Sequence, residues 1–331
     1  MSAIIVFGAS CLDYIAQVNH FPQPDEKLRT NSLTICGGGN AGNTATCLSR
    51  LGIKLKLVTK IGNDLNGEKI LQGFQEEKNI DTSLILIRST VTSQLAYIIV
   101  DIESKTRTCL YSANNEQVLI DDINPQWLNE INFIHFDSRS TEAAVRLATL
   151  AKEKSILCSL DIERERPFIS ELIPLMDYII TTENYSRNVC KDSTLMHTAV
   201  RFLATCRFVI ITCGENGSIL VEKFNKTSFD EVKKNADHES IVIQEIMRMN
   251  EEDFVVWKCS AWPIESKDII DTTGSGDAFI GGIIYGLLTK EVWSRDQLLR
   301  FASYIATCKL KGIGARSSLP YVSDIDMNLF S

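Results

Sequence analysis

Short apolar runs rich in β-branched residues alternate with amphipathic segments along most of the chain, and this alternation constrains the fold more than any other feature. The strand candidates are AIIVFG, KLKLVTKIG, NFIHFD, SILCSLDI, DYIITTE and RFVIITCG. The helix candidates between them are NTATCLSRLG, NGEKILQGFQEEKN, TEAAVRLATLAKEK and STLMHTAVRFLATC. The alternation predicts an α/β fold with a mostly parallel central sheet, helices on both faces and right-handed crossovers. Because ligands of such sheets bind beyond the carboxyl ends of the strands, we expect a site in the loops there.

Two segments depart from this alternation and predict a small separate sheet. Residues 13–36 hold two strand-like runs joined by the turn-rich PQPDEK, and residues 94–111 are typical of a hairpin around DIESKT. We expect a projecting lid built from about 13–36 and 94–118, whose exposed strand edges a second copy could cover in a homodimer. Residues 224–254 are polar and charged with little strand signal. We interpret them as a surface insertion and predict a short helix at IVIQEIMRM.

Size and charge narrow the class of protein. The 331 residues carry a formal net charge of −8 and no cluster of five or more Lys or Arg, which argues against nucleic acid or an anionic membrane as a partner. The sequence shows neither an apolar stretch long enough to span a membrane nor a signal peptide, so we expect a cytoplasmic protein. Ten scattered cysteines without a C-x-x-C pair indicate reduced thiols. The length suits a single α/β domain over 1–331.

The stretch DTTGSGDAF at 271–279 precedes the apolar run IGGIIYGLL and predicts a helix that begins at an anion site. A helix start leaves four backbone N–H groups unpaired and carries a partial positive charge. The small residues Gly274, Ser275 and Gly276 would let an anion approach those groups, as phosphoryl transfer requires. Asp277, in the first turn, could accept the proton of an attacking hydroxyl. Taken alone, a G-S-G-D stretch is more often a glycine-rich turn followed by an acid that the helix dipole favours.

The same stretch resembles the C-terminal signature of the ribokinase (PfkB-type) family of carbohydrate kinases. Four further segments resemble conserved blocks of that family, in the family's order: GGGNAGNTATCLSRLG at 37–52, KIGNDLNGEKILQGFQEEKNIDTS at 60–83, TCGENGSIL at 212–220 and GIGARSSLP at 312–320. Residues 133–142 and 159–184 are most similar to the ketohexokinase branch. The resemblance implies a ribokinase-like three-layer α/β/α domain with a small β-sheet lid. It also implies ATP-dependent phosphorylation of a small sugar, a ketose such as fructose being favoured, with Mg²⁺ as cofactor.

The resemblance assigns roles to the acceptor side of the site. Asp277 would be the catalytic base, and the backbone N–H groups of 274–276 would hold the developing charge. The expected sugar-binding residues are Asp13, Gly38, Gly39, Asn40, Asn43, Asp137, Arg139 and Asp277. Ordinary structural roles stay open for several of them. Asp13 could be a turn residue, Gly38 to Asn43 could serve only to start a helix, and Asp137 with Arg139 could form an ion pair at a strand end.

The resemblance also assigns a nucleotide side and a cation loop. The expected nucleotide-binding residues are Asn184, Thr212, Gly214, Glu215, Gly217, Gly276 and Ser303. A monovalent cation, K⁺ in this family, would be held by the carbonyls of Asp271, Thr273, Lys309, Gly312 and Gly314 and the hydroxyl of Ser318.

Three residues depart from the family pattern. Arg187 in NYSR replaces the glutamate of N-x-x-E that organises water around Mg²⁺, although the ion can still be carried by the nucleotide phosphates. Cys11 replaces a polar residue that contacts the sugar, which counts against ribose. Ser303 replaces a larger polar residue near the adenine.

Other functions remain to be weighed against a sugar kinase. A nucleoside kinase of the same family is the main alternative, and a catalytically inactive nucleotide- or sugar-binding regulator is another. A dinucleotide oxidoreductase is excluded because no G-x-G-x-x-G follows the first strand.

Overall fold

The computed structural model of the chain describes residues 3–104, 106–112, 117–189, 194–224, 242–249, 251–290 and 293–330. The strands are β1 Ala3–Phe7, β2 Cys11–Val18, β3 Ser32–Gly38, β4 Leu55–Val58, β5 Lys60–Gly62, β6 Ile80–Asp81, β7 Leu86–Arg88, β8 Leu95–Asp101, β9 Thr106–Tyr111, β10 Ile131–Phe136, β11 Leu157–Ile162, β12 Tyr178–Thr182, β13 Phe208–Thr212, β14 Ser218–Lys223, β15 Val242–Met249 and β16 Glu252–Cys259. The helices are α1 Asn40–Arg50, α2 Leu65–Gln75, α3 Thr141–Glu153, α4 Ile169–Leu172, α5 Glu183–Val189, α6 Leu195–Phe202, α7 Ser275–Thr289 and α8 Arg295–Lys309.

A ten-stranded sheet forms the centre of the fold, in the order β15-β16-β14-β13-β12-β11-β10-β1-β4-β6. The strands from β13 to β6 pair in parallel, and β14, β16 and β15 add an antiparallel edge. Successive residues of β1 point to opposite faces: Ile4 and Val6 join one apolar core, and Ile5 and Phe7 join the other. Both faces are therefore buried, and the predicted three-layer α/β/α architecture is confirmed.

Helix α7 lies inside the first of these cores and is apolar on nearly all sides. Two glycines let its neighbours approach closely. A Cβ at Gly281 would overlap the Cys47 side chain of α1, and one at Gly282 would lie 2.7 Å from the Cα of Ala302 in α8. Close packing against both helices fixes the position of the α7 N-terminus.

The small second sheet is confirmed, with four strands in the order β3-β2-β8-β9. Its register places Asp13 opposite Cys36 and Ala96, on the inner face, with Ile15 and Ile98 forming a small core there. The other face carries apolar side chains in contact with solvent: Leu33, Ile35, Tyr97 and Leu110, which are 60%, 43%, 53% and 54% exposed.

The helix predicted at IVIQEIMRM is wrong where the structure describes this segment. Val242–Met249 is strand β15, which pairs antiparallel with β16 and extends the main sheet. Glu251 adopts a left-handed conformation (φ 67°) at the reversal between the two strands. An ion pair of 2.8 Å between Glu245 and Lys258 links β15 to β16. Most of the expected insertion, residues 225–241, lies outside the described residues.

Candidate active site

The N-terminus of α7 has the geometry of an anion site. Gly274 precedes the helix in a left-handed conformation (φ 77°), and a Cβ there would crowd Ala315. At Gly276, by contrast, a Cβ would meet no other atom within 4 Å. The helix start therefore has free space on the side where Gly276 lacks a side chain, and its first N–H groups can reach an anion there.

Asp277 lies in the first turn of α7 and is 8% exposed. Its Oδ2 accepts a hydrogen bond of 2.8 Å from Nδ2 of Asn43. Burial, reinforced by the nearby charge of Glu163, raises the pKa of Asp277 to about 7, although the Asn43 hydrogen bond acts in the opposite direction. A carboxylate with a pKa near neutral suits a general base.

Arg316 connects the groups around Asp277, and the sequence analysis did not single it out. Its Nε donates to Oδ1 of Asn43 at 3.0 Å, and its Nη2 donates to the Gly38 carbonyl at 2.7 Å. The guanidinium also lies over the ring of Phe74, 4.7 Å from its centre. The positive charge of Arg316 lowers the pKa of both Asp13 and Asp277, against the larger effect of burial.

Asp13 lies in β2 on the inner face of the lid sheet and is 5% exposed. The Cys11 thiol donates to Oδ1 of Asp13 at 3.3 Å. Burial raises the pKa of Asp13 above its ordinary value. A Cβ at Gly38 would overlap the Asp13 carboxylate, so glycine is required where β3 passes it. Asp13, Gly38, Asn43 and Asp277 are therefore brought together through direct contacts and through Arg316, as expected for one acceptor site.

Asp137 has a different environment from the one expected of a sugar contact. Its oxygens accept hydrogen bonds from the backbone N–H groups of Ala9 at 2.7 Å, Ala41 at 3.2 Å and Arg139 at 2.9 Å. The carboxylate thus ties the ends of β1 and β10 to the first turn of α1. Arg139 contacts Asp137 through its backbone N–H, and its side chain does not form the ion pair that we considered as an alternative. Few lone pairs remain on Asp137 for a ligand.

A cleft of about 230 Å³ lies beside Asp137, and its lining includes Gly8, Lys60, Arg139 and Arg166. Lys60 is already paired there, because its Nζ lies 2.9 Å from Oδ2 of Asp122.

Two further acids near Asp277 were missed by the sequence analysis. Asp161 is buried at the end of β11, and Nδ2 of Asn40 lies 3.5 Å from its Oδ2. Burial raises the pKa of Asp161 well above its ordinary value, and the charges of Glu163 and Asp277 add to this effect. The only sequence signal was the position of Asp161 and Glu163 at the carboxyl end of a predicted strand.

A second cleft, of about 280 Å³, is lined in part by Cys213, Asn216 and Ser260, which are neighbours of the predicted nucleotide-binding residues, although those residues are not themselves part of its lining. Gly214 and Gly217 have positive φ values of 59° and 86°, and a Cβ at Gly217 would overlap the carbonyl of Cys259. These glycines are therefore required by the turn that follows β13.

The remaining nucleotide-side residues have varied surroundings. Asn184 and Glu215 are exposed, and the Thr212 hydroxyl donates to the Thr181 carbonyl at 3.3 Å. Ser303 accepts a hydrogen bond of 2.8 Å from the Trp262 N–H and so holds the segment next to Ser260. Arg187 forms an ion pair with Glu183 one helical turn earlier.

A lysine ammonium lies among the carbonyls that were predicted to hold a monovalent cation. Nζ of Lys309 donates to the carbonyl oxygen of Asp271 at 2.6 Å and to that of Gly312 at 3.3 Å. The Lys309 carbonyl accepts a hydrogen bond of 2.5 Å from the Ser318 hydroxyl. Two of the carbonyls that were expected to face a free cation are thus engaged by a side chain. The loop therefore does not fit the expected K⁺.

The carboxylate of Asp271 organises the backbone around this loop. Its Oδ1 accepts from the N–H and hydroxyl of Thr273, at 2.8 and 2.7 Å, and its Oδ2 accepts from the Gly314 N–H at 2.8 Å. Burial alone would raise the pKa of Asp271, but the bonds from Thr273 hold it below the ordinary value.

Arg107, on the lid strand β9, contacts the same stretch. Its Nη1 donates to the hydroxyls of Thr272 and Thr273 at 3.0 and 2.6 Å and lies 3.3 Å from Oδ1 of Asp271. The lid is thereby linked to the loop that leads into α7. No sequence pattern indicated this contact, which joins residues more than 160 positions apart.

A buried carboxylate in the first turn of an apolar helix, with open space at the helix start and a small β-sheet linked to the loop before it, is the arrangement expected of a phosphotransferase for small hydroxyl compounds. The family model described as pfkB family carbohydrate kinase matches residues 1–236 and 254–321. The chain belongs to this family of sugar kinases.

Individual proteins resemble the chain over its whole length. The ribokinase of Dictyostelium discoideum is 26% identical over 347 aligned positions, which cover 98% of this chain and 99% of that protein. The structure of Arabidopsis thaliana ribokinase complexed with ribose and ATP shares the fold, with a TM-score of 0.77, 16% identity and coverage of 100% and 99%. That of Burkholderia thailandensis nucleoside kinase in complex with inosine has a TM-score of 0.73, 16% identity and coverage of 98% and 96%.

Helices long and apolar enough to cross a membrane do not occur in the described part of the chain. Nor do these residues contain three or more His, Cys, Asp or Glu side chains grouped so as to hold a metal ion.

Proposed function

We propose that the chain transfers the γ-phosphate of ATP to a primary hydroxyl of a small sugar, with Asp277 as the general base. The observation that carries the proposal is the position of Asp277. It lies on the first turn of α7, with a pKa of about 7 and a hydrogen bond from Asn43 that holds its carboxylate. A base in this position can take the hydroxyl proton while the adjacent N–H groups bind the phosphate.

The reaction would use groups from three parts of the fold. Asp13 on the lid accepts hydrogen bonds from acceptor hydroxyls, since a carboxylate can bind two of them at once. Asp277 deprotonates the attacking hydroxyl, and the N–H groups of 274–276 stabilise the charge that develops on the transferred phosphate. The lid excludes water, which would otherwise be phosphorylated in place of the sugar. The described residues offer no cluster of ligands for Mg²⁺, so the ion would arrive bound to the nucleotide phosphates.

The acceptor is the least determined part of the proposal. Relatives named ribokinase make ribose the first acceptor to test, and a preference for ketoses such as fructose gains no support from them. The Cys11 thiol, which donates to Asp13, is the departure from the family pattern that lies at this acceptor site. A nucleoside acceptor is the second candidate, because a nucleoside kinase bound to inosine shares the fold across the chain.

The test is an ADP-release assay with ATP, Mg²⁺ and a panel of ribose, fructose, other aldoses and ketoses, inosine and adenosine. We expect one class of acceptor to support turnover, with a phosphorylated primary hydroxyl identified by NMR of the product. The Asp277→Asn variant is the matched control for background ATP hydrolysis. Binding of ATP without phosphorylation of any acceptor would overturn the proposal and favour a regulatory binding protein.

A further inference from the structure

The side chain of Lys309 is fully buried at the end of α8, with none of its surface exposed. Burying an ammonium group is costly unless acceptors replace its water. Here the acceptors are the carbonyl oxygens of Asp271 and Gly312, at 2.6 and 3.3 Å from Nζ. Backbone carbonyls are also the groups that coordinate K⁺ in proteins. The ammonium therefore has the charge and the ligands of a bound monovalent cation.

The two carbonyls belong to loops that together shape the active site. Asp271 precedes Gly274 and the anion-binding start of α7. Gly312 begins the segment that carries Arg316, whose guanidinium holds Asn43, and Asn43 in turn holds Asp277. A positive charge between the two carbonyls keeps these loops together, since without it the two carbonyl dipoles would lose their shared partner.

We propose that the Lys309 ammonium takes the place of a monovalent cation, so that this kinase needs no K⁺. The inference rests on the proposed function only where its test measures enzymatic activity. Lys309 acts as a positioning residue, because it contacts the loops and not the substrates. An enzyme that depends on K⁺ must bind this positive charge from solution, whereas here the charge is covalently attached to α8. Activity should therefore not depend on the cation concentration.

The experiment first compares wild-type turnover in KCl, NaCl and tetramethylammonium chloride at equal ionic strength. We expect rates that agree within about twofold, because no exchangeable cation takes part. A severalfold stimulation by K⁺ over tetramethylammonium would overturn the proposal.

Two variants then separate the charge from the volume of the side chain. Lys309→Met keeps an unbranched stem without the charge, and it should lose at least about tenfold in kcat with no response to K⁺. Lys309→Ala leaves room for an ion, and K⁺ or ammonium should restore part of its activity. Lys311→Met, at an exposed lysine two residues further on, is the matched control and should behave as wild type. Wild-type turnover by Lys309→Met would contradict a role for the ammonium.

Melting temperatures provide a readout that does not depend on the reaction. K⁺ should raise the melting temperature of Lys309→Ala relative to tetramethylammonium, since a ligand that binds only the folded chain stabilises it. The wild type should show no such K⁺-specific rise, and observing one would overturn the proposal. If no acceptor is ever phosphorylated, the proposed function fails, and this measurement on the wild type still decides the inference. The wild-type comparison also stands if both variants fail to fold.

Discussion

At the scale of single residues, the site depends on a few buried charges held by neutral hydrogen-bonding groups. Asn43 has the central position: its amide nitrogen donates to Asp277 and its amide oxygen accepts from Arg316. An asparagine is suited to this because it both donates and accepts. The carboxylate and the guanidinium are thereby linked without a direct ion pair. Such a pair would lower the pKa of Asp277 from its value of about 7.

The Asp277→Asn variant should lose the base and retain the binding sites. We expect kcat to fall by about 10²- to 10⁴-fold, the usual range for general base catalysis, with ATP affinity little changed. Steady-state kinetics and titration calorimetry on one preparation measure both quantities. Turnover within about threefold of wild type would show that another group is the base.

The pH dependence of the wild type should report the same carboxylate. Because the pKa of Asp277 is raised to about 7, the base is protonated and inactive below that pH. We expect log kcat/KM to rise with unit slope up to about pH 7 and then to level off. A profile that stays flat down to pH 5 would contradict the assignment.

Stability should depend on pH with the opposite sign. Between the ordinary pKa of 3.8 and the raised value of about 7, the folded chain keeps a proton on Asp277 that the unfolded chain has lost. This contribution to stability is complete below the unfolded value and is lost as the pH rises through 7. Since Asp277→Asn carries no ionisable group there, its melting temperature should exceed that of the wild type more at pH 8 than at pH 5. Equal differences at both pH values would argue against a buried, raised carboxyl.

At the scale of secondary structure elements, helix α7 contains glycines that serve two distinct purposes. Gly276 leaves free space at the helix start, whereas Gly282 lies against the backbone of α8. A side chain at the first position would enter the proposed anion site, and one at the second would separate two packed helices. The two glycines therefore form a matched pair for testing function against packing.

Gly276→Val should abolish phosphoryl transfer while leaving the melting temperature close to wild type. Adenosine should still bind, because the glycine turn at 214–217 is unchanged. Gly282→Ala should show the reverse: overpacking should cost about 1–3 kcal/mol of unfolding free energy, with activity per folded molecule preserved. Turnover and thermal unfolding of the two variants, measured side by side, distinguish these outcomes. A stable, active Gly276→Val variant would exclude the anion site.

Sequence patterns predicted those elements whose structure is decided locally. The small residues at 274–276 and the acid that follows them predicted a helix start, and α7 does begin at Ser275 with Asp277 in its first turn. By contrast, β15 was predicted as a helix because its apolar residues fit either period, and pairing with β16 decides the outcome. Arg107, Asp161 and Arg316 were missed for a related reason. Their contacts join distant parts of the chain and become visible only when the sheet and lid are assembled.

At the scale of the whole molecule, the lid has an inner face that serves the site and an outer face that is apolar and exposed. Tyr97 and Leu110 pair across β8 and β9, and Leu33 and Ile35 lie on β3, at the opposite edge of the sheet. An exposed group of large apolar side chains on a sheet is typical of an interaction surface. We therefore still expect the homodimer through the lid.

Light scattering coupled to gel filtration should show a dimer for the wild type. Replacing Leu33 and Tyr97 together by glutamate should produce a monomer, since four charges would then face each other across a two-fold interface. The core cluster of the main sheet is untouched by these changes, so the melting of the monomer checks that the fold is intact. A wild-type monomer throughout the concentration series would exclude this interface.

The deep burial of α7 and the exposure of β9 imply an order in which the molecule opens. Amide protons in the middle turns of α7, which is buried from Asp277 to Gly286, belong to the tightly packed core, and their exchange with solvent should require near-global unfolding. Those of β9, an edge strand with mostly exposed side chains, should exchange through small local openings. Mild warming would therefore release the lid and stop turnover while helix α7 keeps its position in the core. On cooling, activity would return by closure of one small sheet, without refolding of the core.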